Sequence, residues 1–105
     1  MIIAKVTKRK GEYFSFSCEG HAEYEDLGKD IICAAVSMLV INTGNSLEAF
    51  TVNKITSSDC GKLYWEFVNP PDDKGILLMD SLCLGLSETE KKYGKKYLRL
   101  IIEEV

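Results

Sequence analysis

Nucleophilic catalysis needs one side chain that attacks a carbonyl carbon and another that takes its proton, and this 105-residue sequence offers one such combination. Its single histidine, His21, lies between Gly20 and Ala22, and Cys33 follows twelve residues later. Imidazole titrates near neutral pH, so it can accept a thiol proton and later donate it to a leaving amine. The thiolate is the nucleophilic form of cysteine. His21 and Cys33 are therefore the candidate catalytic residues.

The residues around Cys33 predict how its thiol is activated. Asp30 stands directly before an apolar run and is a good N-cap, so we expect a helix from about residue 31 to about residue 50, with Cys33 in its first turn. Free N–H groups and the helix dipole would stabilise a thiolate there and could hold an oxyanion. Asp30 would also favour a protonated His21, while Ser37, one turn after Cys33, could hydrogen-bond within the site or to its own helix.

The same residues also fit an ordinary structural role. Cys33 could be a small apolar residue that begins a buried helix, and His21 could be a surface histidine at a turn. Cys18 alternates with serines in a strand and Cys83 lies in an apolar helix, so both are expected in the core. Cys60 lies in a turn with nothing nearby to activate it. Without a Cys-x-x-Cys pair, and with one histidine, a structural zinc site is not expected.

Hydrophobic periodicity predicts seven elements in the order ββαββαβ. Residues 2–7 and 13–19 alternate as strands of a hairpin, and a polar loop from Glu23 to Lys29, containing Gly28, leads to the first helix. A second hairpin comprises residues 51–56 and 62–68, a second helix spans about 73–93, and a final strand covers 96–102. The expected fold is α+β: one domain over residues 1–105, with a mostly antiparallel sheet packed with two helices.

The second predicted helix has more apolar width than one sheet face needs. It carries five leucines: Leu77, Leu78, Leu82, Leu84 and Leu86. A homodimer contact would explain the excess, and so would a thick core. The sequence leaves both explanations open.

Charge and hydropathy argue against nucleic-acid and membrane partners. The formal net charge is −3 and the pI is near 5.1, so approach to phosphate carries a Coulombic penalty. The longest apolar run, residues 31–41, falls short of the roughly 18 residues that span a membrane, and the N-terminus lacks the features of a signal peptide. We therefore expect a cytoplasmic protein with reduced thiols and no direct nucleic-acid or membrane contact.

Two short motifs resemble those of a known family. Gly20-His21-Ala22, followed by a glycine-containing loop and then Gly28-Lys29-Asp30-Ile31-Ile32-Cys33-Ala34-Ala35-Val36-Ser37, is similar to the pattern of the ribosomal-processing cysteine protease family, Prp. Length and element order agree along the whole chain, although the sharp motifs cover only residues 20–37.

The resemblance implies a specific activity. Family members remove a short N-terminal extension from a bacterial large-subunit ribosomal protein by means of a Cys/His dyad, here Cys33 and His21. They are commonly homodimers, they need no metal or other cofactor, and the loop between histidine and cysteine moves over the substrate. The flexible loop would here include Glu23 and Gly28.

Two rival functions are compatible with the sequence. The chain could be a non-catalytic ribosomal-protein-binding or ribosome-assembly module, although a pure binder needs neither His21 nor Cys33. It could also be a redox sensor that uses Cys33, but such a sensor needs a resolving cysteine nearby, and the sequence spacing offers none.

Overall fold

Two hairpins, two long helices and a final strand follow one another as predicted. The computed structural model describes residues 1–20, 26–53, 55–58 and 63–105. The elements are β1 (Ile2–Arg9), β2 (Glu12–Gly20), α1 (Asp26–Phe50), β3 (Ile55–Ser58), β4 (Leu63–Phe67), α2 (Asp73–Tyr93) and β5 (Leu98–Glu104). The predicted order ββαββαβ is confirmed.

The five strands form one mixed sheet in the order β3-β4-β2-β1-β5. The β1–β2, β2–β4 and β3–β4 pairs are antiparallel, and β5 is parallel to β1. The parallel pair arises because α2 carries the chain from β4 past β2 and β1 to the far edge of the sheet. The predicted α+β fold with a mostly antiparallel sheet is confirmed.

Both helices cover one face of this sheet. Along β1 and β2 the inward residues Ala4, Val6 and Phe16 are fully buried, while Lys5 and Ser17 on the other face are partly exposed. Each large apolar side chain buried in this way stabilises the fold by about 1.5–3 kcal/mol. The helices contribute the other half of the same core cluster: Ile32, Val36, Val40 and Leu47 from α1, and Met79, Leu82 and Leu86 from α2.

The helix α1 begins at Asp26, five residues before the predicted start at residue 31, so that prediction is wrong. Asp30 lies inside the helix and does not cap it, and Gly28 is helical although it was assigned to a loop. The helix dipole favours the acidic Asp26 at the start of the helix. Gly28 lowers the stability of the helix by only about 1 kcal/mol relative to alanine, which a 25-residue helix tolerates. The remainder of the predicted loop, residues 23–25, lies outside the described residues.

The strand β3 begins at Ile55 and not at the predicted residue 51. Residues 51–53 instead form hydrogen bonds that connect the end of α1 with the start of α2. The Thr51 hydroxyl donates to the Leu47 carbonyl oxygen at the end of α1, 2.6 Å away, and it accepts a bond from the Asn53 N–H. The Asn53 side chain in turn exchanges two hydrogen bonds with Asp72, the N-cap of α2. Side chains thus hydrogen-bond backbone groups of Leu47, Asn53 and Asp72, and these bonds replace the ladder bonds that a strand would form.

The predicted limits of α2 are confirmed at both ends. Asp72 accepts a bond of 3.0 Å from the Gly75 N–H, and this bond is the main reason why the pKa of the exposed Asp72 carboxyl is lowered. The helix ends at Gly94, with Lys91 and Lys92 in its last turn, where the helix dipole favours cations.

The α1 segment Ile31–Phe50 is long and apolar enough to cross a membrane by length and composition, contrary to the expectation from the sequence. Its mean hydropathy is 1.4, and 33% of it is buried. The core helix of a soluble protein meets the same criterion. Val36, Val40 and Leu47 of this segment lie in the core cluster, which accounts for much of its apolar character.

The strand β2 ends on a residue that must be glycine. Gly20 has a φ of +99°, a conformation that side chains disfavour, and a Cβ there would lie 2.2 Å from the Met1 carbonyl oxygen. Backbone, unlike a flexible side chain, cannot easily move away. The close approach of Met1 therefore fixes the backbone conformation at the end of β2.

We predict that Gly20→Ala lowers the free energy of unfolding by more than about 2 kcal/mol, because it adds a steric overlap to a strained φ. Urea denaturation followed by circular dichroism measures the change. Gly94→Ala is the matched control, since Gly94 has a φ of +102° and nothing within 4 Å of its Cβ position. Equal losses in the two variants would show that the overlap with Met1 is unimportant.

Candidate functional site

The candidate nucleophile Cys33 lies in the interior of α1, as its eighth residue. The free N–H groups of a helix belong to its first four residues, here 26–29, and Asp26 precedes Cys33 by about 10 Å along the helix axis. The Cys33 N–H is instead part of the helical hydrogen-bond ladder. The prediction that Cys33 lies in the first turn, next to free N–H groups, is therefore wrong for this conformation.

The position of Cys33 around the helix decides how much of its side chain is accessible. Successive helical residues are rotated by about 100°, and Val36 and Val40 mark the stripe of α1 that is buried against the sheet. Cys33 falls at the margin of this stripe, so its side chain is half-buried and packs against the core cluster. A thiol in this position is held by packing on one side and is open to a ligand on the other.

A close contact between α1 and β4 fixes the position of the helix along its own axis relative to the sheet. A Cβ at Gly44 would lie 3.3 Å from the ring of Trp65, which is tighter than an ordinary contact. Trp65 is buried and stacks at a tilt on Phe16, with ring centroids 4.8 Å apart. The contact sets the register of α1 and thereby the position of Cys33. No feature of the sequence had singled out Gly44.

A second cysteine, Cys18, lies near the end of β2. Cys18 is only 8% exposed, as expected for the core. Burial raises the pKa of its thiol to about 11, and the negative charges of Glu19 and of a Cys33 thiolate add to the effect. Cys18 belongs to the core cluster, and Cys33 packs against that cluster. Alternation along β2 had indicated that Cys18 points inward, but not what it faces.

The remaining candidate residues are only partly within the described structure. Ser37 is exposed and lies one turn after Cys33 on the same side of α1. Asp30 and Gly28 are helical residues of α1, as reported above. His21 and Glu23 lie outside the described residues, so the pairing of His21 with Cys33 stays a prediction.

Comparison with protein families identifies one that spans nearly the whole chain. The family model described as cysteine protease Prp matches residues 1–98, which include both candidate catalytic positions. The ribosomal processing cysteine protease Prp of Bacillus subtilis is 30% identical over 86 residues, covering 75% of this chain and 77% of that protein. The protein of the same name from Staphylococcus aureus is 24% identical over 99 residues, covering 90% of this chain and 93% of that protein.

Solved structures share the fold. SMU.848 from Streptococcus mutans is 28% identical, with a TM-score of 0.86 over 100% of this chain and 96% of that chain. The ribosomal processing protease Prp from S. aureus, in complex with a substrate peptide, is 23% identical, with a TM-score of 0.86 over 97% of this chain and 99% of that chain. With a family model that matches 98 of the 105 residues, the chain belongs to the cysteine protease Prp family and is a peptide-bond hydrolase of the thiol class.

Proposed function

We propose that this protein is a cytoplasmic endopeptidase that removes a short N-terminal extension from a bacterial large-subunit ribosomal protein, with Cys33 as nucleophile and His21 as general acid and base. Relatives from B. subtilis and S. aureus carry the name ribosomal processing cysteine protease. The S. aureus protease has been crystallised with a substrate peptide and with a covalently linked product peptide. Family membership supports the same activity here.

One observation supports Cys33 as the nucleophile in particular, namely that its side chain is half-buried and packs against the core, so it is held in place and remains accessible to a peptide. The family model spans the positions of both His21 and Cys33, which supports their pairing as a dyad.

In the proposed reaction His21 takes the proton of Cys33, and the thiolate attacks the scissile carbonyl carbon to form a tetrahedral intermediate. The imidazolium then gives its proton to the leaving amine as the peptide bond breaks, which leaves a thioester on Cys33. Water, deprotonated by His21, attacks the thioester, and His21 returns this proton to the departing Cys33 sulfur; the acid product then loses its own proton to solvent and leaves as a carboxylate. Each proton transferred while a bond to the reacting carbon forms or breaks passes through His21, and no metal or other cofactor is needed.

Asp30 and Ser37 support this site from one turn on either side of Cys33. A carboxylate at position 30 favours the imidazolium form of His21, and a hydroxyl at position 37 can donate a hydrogen bond to the substrate. Neither residue is assigned a step that moves a proton.

The first turns of α1 are proposed to open when substrate binds. Gly28 weakens these turns by about 1 kcal/mol relative to alanine. If residues 26–30 leave the helix, α1 begins next to Cys33, and its free N–H groups become donors for the oxyanion. The flexible segment inferred for residues 23–29, which includes Glu23 and Gly28, would then act as a cover that forms the site around the correct peptide.

A homodimer is the proposed assembly. The predicted leucine-rich helix uses Leu82 and Leu86 in the core, but Leu77 and Leu84 are 68% and 64% exposed. On α1, Ile31 and Met38 are likewise exposed. In each helix these residues are seven apart and share one face, so both helices present apolar side chains away from the sheet. The core therefore buries only some of the leucines of α2, and the exposed ones support a contact with a second copy of this chain.

We predict that the purified protein cuts a peptide copying the N-terminus of that ribosomal protein at a single bond, and that Cys33→Ala and His21→Ala each slow the cut by about a thousandfold or more. Mass spectrometry of the products measures this. Cys83→Ala is the matched control, because Cys83 is also a half-buried thiol packed against the core but has no role in the reaction. Tight binding of the peptide without any cut by the wild type would favour the binding-module alternative.

We predict that Gly28→Ala slows cleavage at saturating peptide while leaving the protein at least as stable, because it makes opening of the first turns of α1 more costly by about 1 kcal/mol, or several-fold in rate. Single-turnover kinetics and urea denaturation measure the two effects. Unchanged kinetics in a stabilised variant would contradict the opening step.

We predict that Leu84→Glu converts a dimer into a monomer of 11.8 kDa, because it places a charge in the apolar contact. Light scattering coupled to size-exclusion chromatography measures the mass. Val52→Glu is the control, since Val52 is an exposed apolar residue outside both helices. A wild type that is already monomeric at high concentration would refute the proposed assembly.

A further inference from the structure

A cavity at one end of the sheet takes no part in the proposed cleavage reaction. It has a volume of about 230 Å³ and is partly open to solvent. Three short segments line it: residues 9–10 at the turn of the first hairpin, residues 12–14 at the start of β2, and residues 67–70 at the end of β4 and just after it. The cavity therefore belongs to the sheet and its turn.

The cavity lies far from the candidate nucleophile. Its lining residue Pro70 is two residues before Asp72. Asp72 exchanges two hydrogen bonds with Asn53, which is three residues after the end of α1 at Phe50. The C-terminal end of α1 is thus at the same end of the molecule as the cavity. Cys33 is seventeen residues before Phe50, or about 25 Å along the helix axis, so a small ligand in the cavity does not reach it.

The cavity exists because two neighbouring strands separate. The strands β2 and β4 are paired as far as Ser15 and Glu66, and their ladder ends there. Both strands nevertheless continue, β2 back to Glu12 and β4 on to Phe67. The space between them is lined mainly by aromatic and aliphatic side chains, namely Tyr13, Phe14, Phe67, Val68 and Pro70. Such a fork can admit a large apolar side chain of an extended peptide.

One rim of the cavity carries a guanidinium that is held in place by stacking. The Cζ atom of Arg9 lies 3.9 Å from the centroid of the Phe14 ring. Stacking fixes the plane of the guanidinium and leaves the N–H donors at its edge available. Neither ion pair found among the described residues involves Arg9; these pairs are Lys5–Glu103 and Lys91–Glu88. A carboxylate can therefore bind to Arg9 in the bidentate geometry that guanidinium favours, without displacing a protein partner.

The turn that carries this rim has a fixed shape. Lys10 and Gly11 have φ values of +53° and +78°, as in a type I′ hairpin turn, and the Gly11 N–H donates to Glu104 at 2.8 Å. A lysine at positive φ is strained, because its Cβ crowds the backbone there. This strained residue brings a second cation to the cavity. With Arg9 and Lys10 opposed by Glu12 alone, the charged lining residues sum to +1.

We propose that this cavity is a second peptide-binding site, which takes an extended segment of a partner protein with a large apolar side chain next to an acidic residue. The apolar side chain enters the fork between β2 and β4, and the carboxylate pairs with Arg9. The whole chain carries a net charge of −3, so this rim is a locally favourable place for an acidic partner. The site goes beyond the proposed cleavage, since binding here needs neither Cys33 nor His21.

A single carboxylate suits the cavity better than the backbone of a nucleic acid does. The phosphates of a nucleic acid form a continuous line of negative charge, which the net charge of the chain and the Glu12 carboxylate both repel. The apolar walls of the fork also give a phosphate chain no hydrogen bonds. A peptide supplies one local charge beside an apolar group, which matches the rim and the walls together.

The experiment is a nuclear magnetic resonance titration of the full chain, labelled with nitrogen-15, with the peptide acetyl-Ala-Phe-Asp-Ala-amide. At about 5 mM peptide the amides of residues 9–14 and 67–69 should shift, with a dissociation constant of about 1 mM, as expected for one apolar side chain and one ion pair. Replacing the peptide's aspartate by asparagine, or its phenylalanine by alanine, should each weaken binding by about fivefold or more.

Protein variants assign the two contacts. Arg9→Ala should make the aspartate and asparagine peptides bind equally, while the preference for phenylalanine over alanine remains. Arg9→Lys should restore only part of the preference for aspartate, because an ammonium cannot form the bidentate pair. Lys92→Ala is the matched control, since Lys92 also lies over an aromatic ring, that of Tyr93 at 5.5 Å, but does not line the cavity.

The absence of shifts in these residues at that concentration would overturn the proposal. So would equal binding of the aspartate and asparagine peptides to the wild type, or a loss in Lys92→Ala as large as that in Arg9→Ala. A single-stranded RNA oligonucleotide that shifts the same amides at lower concentration than the peptide would replace the proposed partner by a nucleic acid. Because only binding is measured, failure of this site leaves the proposed cleavage untouched, and failure of the cleavage leaves this site untouched.

Discussion

The packing of one stripe of α1 against the inner face of the sheet is the interaction on which the site depends. Val36 and Val40 on the helix and Phe16 on β2 are fully or almost fully buried in the same cluster. Because a helical residue is rotated by about 100° from the next, this stripe fixes the rotation of α1 about its axis. The close approach of Gly44 to Trp65 fixes the position of α1 along that axis. Together they leave Cys33 at the margin of the core, neither fully enclosed nor fully in solvent.

The two ends of the sheet have different roles. At the hairpin turn, the Tyr13 hydroxyl donates to Asp80 of α2, and the Val105 N–H donates to the Lys8 carbonyl oxygen at 2.7 Å, so strands and helix are tied together. The opposite end carries Cys18 and Gly20, where β2 ends. The hairpin end is thus held by contacts from α2 and from the C-terminal residue, and the other end by the close approach of Gly20 to Met1.

Much of this architecture follows from local sequence patterns. Alternation identified β1, β2 and β4, and α2 was located closely because Asp72 and Gly94 act at its ends through local hydrogen bonds and backbone conformation. The start of α1 was placed too late, since a capping aspartate at position 30 and a glycine at position 28 look like a boundary, whereas the helix continues through both. Capping and glycine preferences of about 1 kcal/mol each are too small to determine where a long helix begins.

The site could be predicted only as a pair of residue types. His21 and Cys33 were evident from their chemistry and from the family motif, but the neighbourhood of Cys33 depends on how α1 crosses β2. For that reason the half-buried position of Cys33 at the margin of the core could not be predicted from the sequence. The start of β3 was missed for a related reason, because Asn53 is held by Asp72, nineteen residues away in sequence.

The central claim is that the Cys33 thiol attacks the substrate carbonyl with the help of His21. A peptide that copies the ribosomal extension up to the cut and ends in a chloromethyl ketone would test it most directly, because such a reagent alkylates the nucleophile that it is positioned against. Peptide mapping after labelling should place the adduct on Cys33, at a rate that falls sharply in His21→Ala. An adduct on Cys18, Cys60 or Cys83, or labelling of Cys33 at the same rate without His21, would contradict the account.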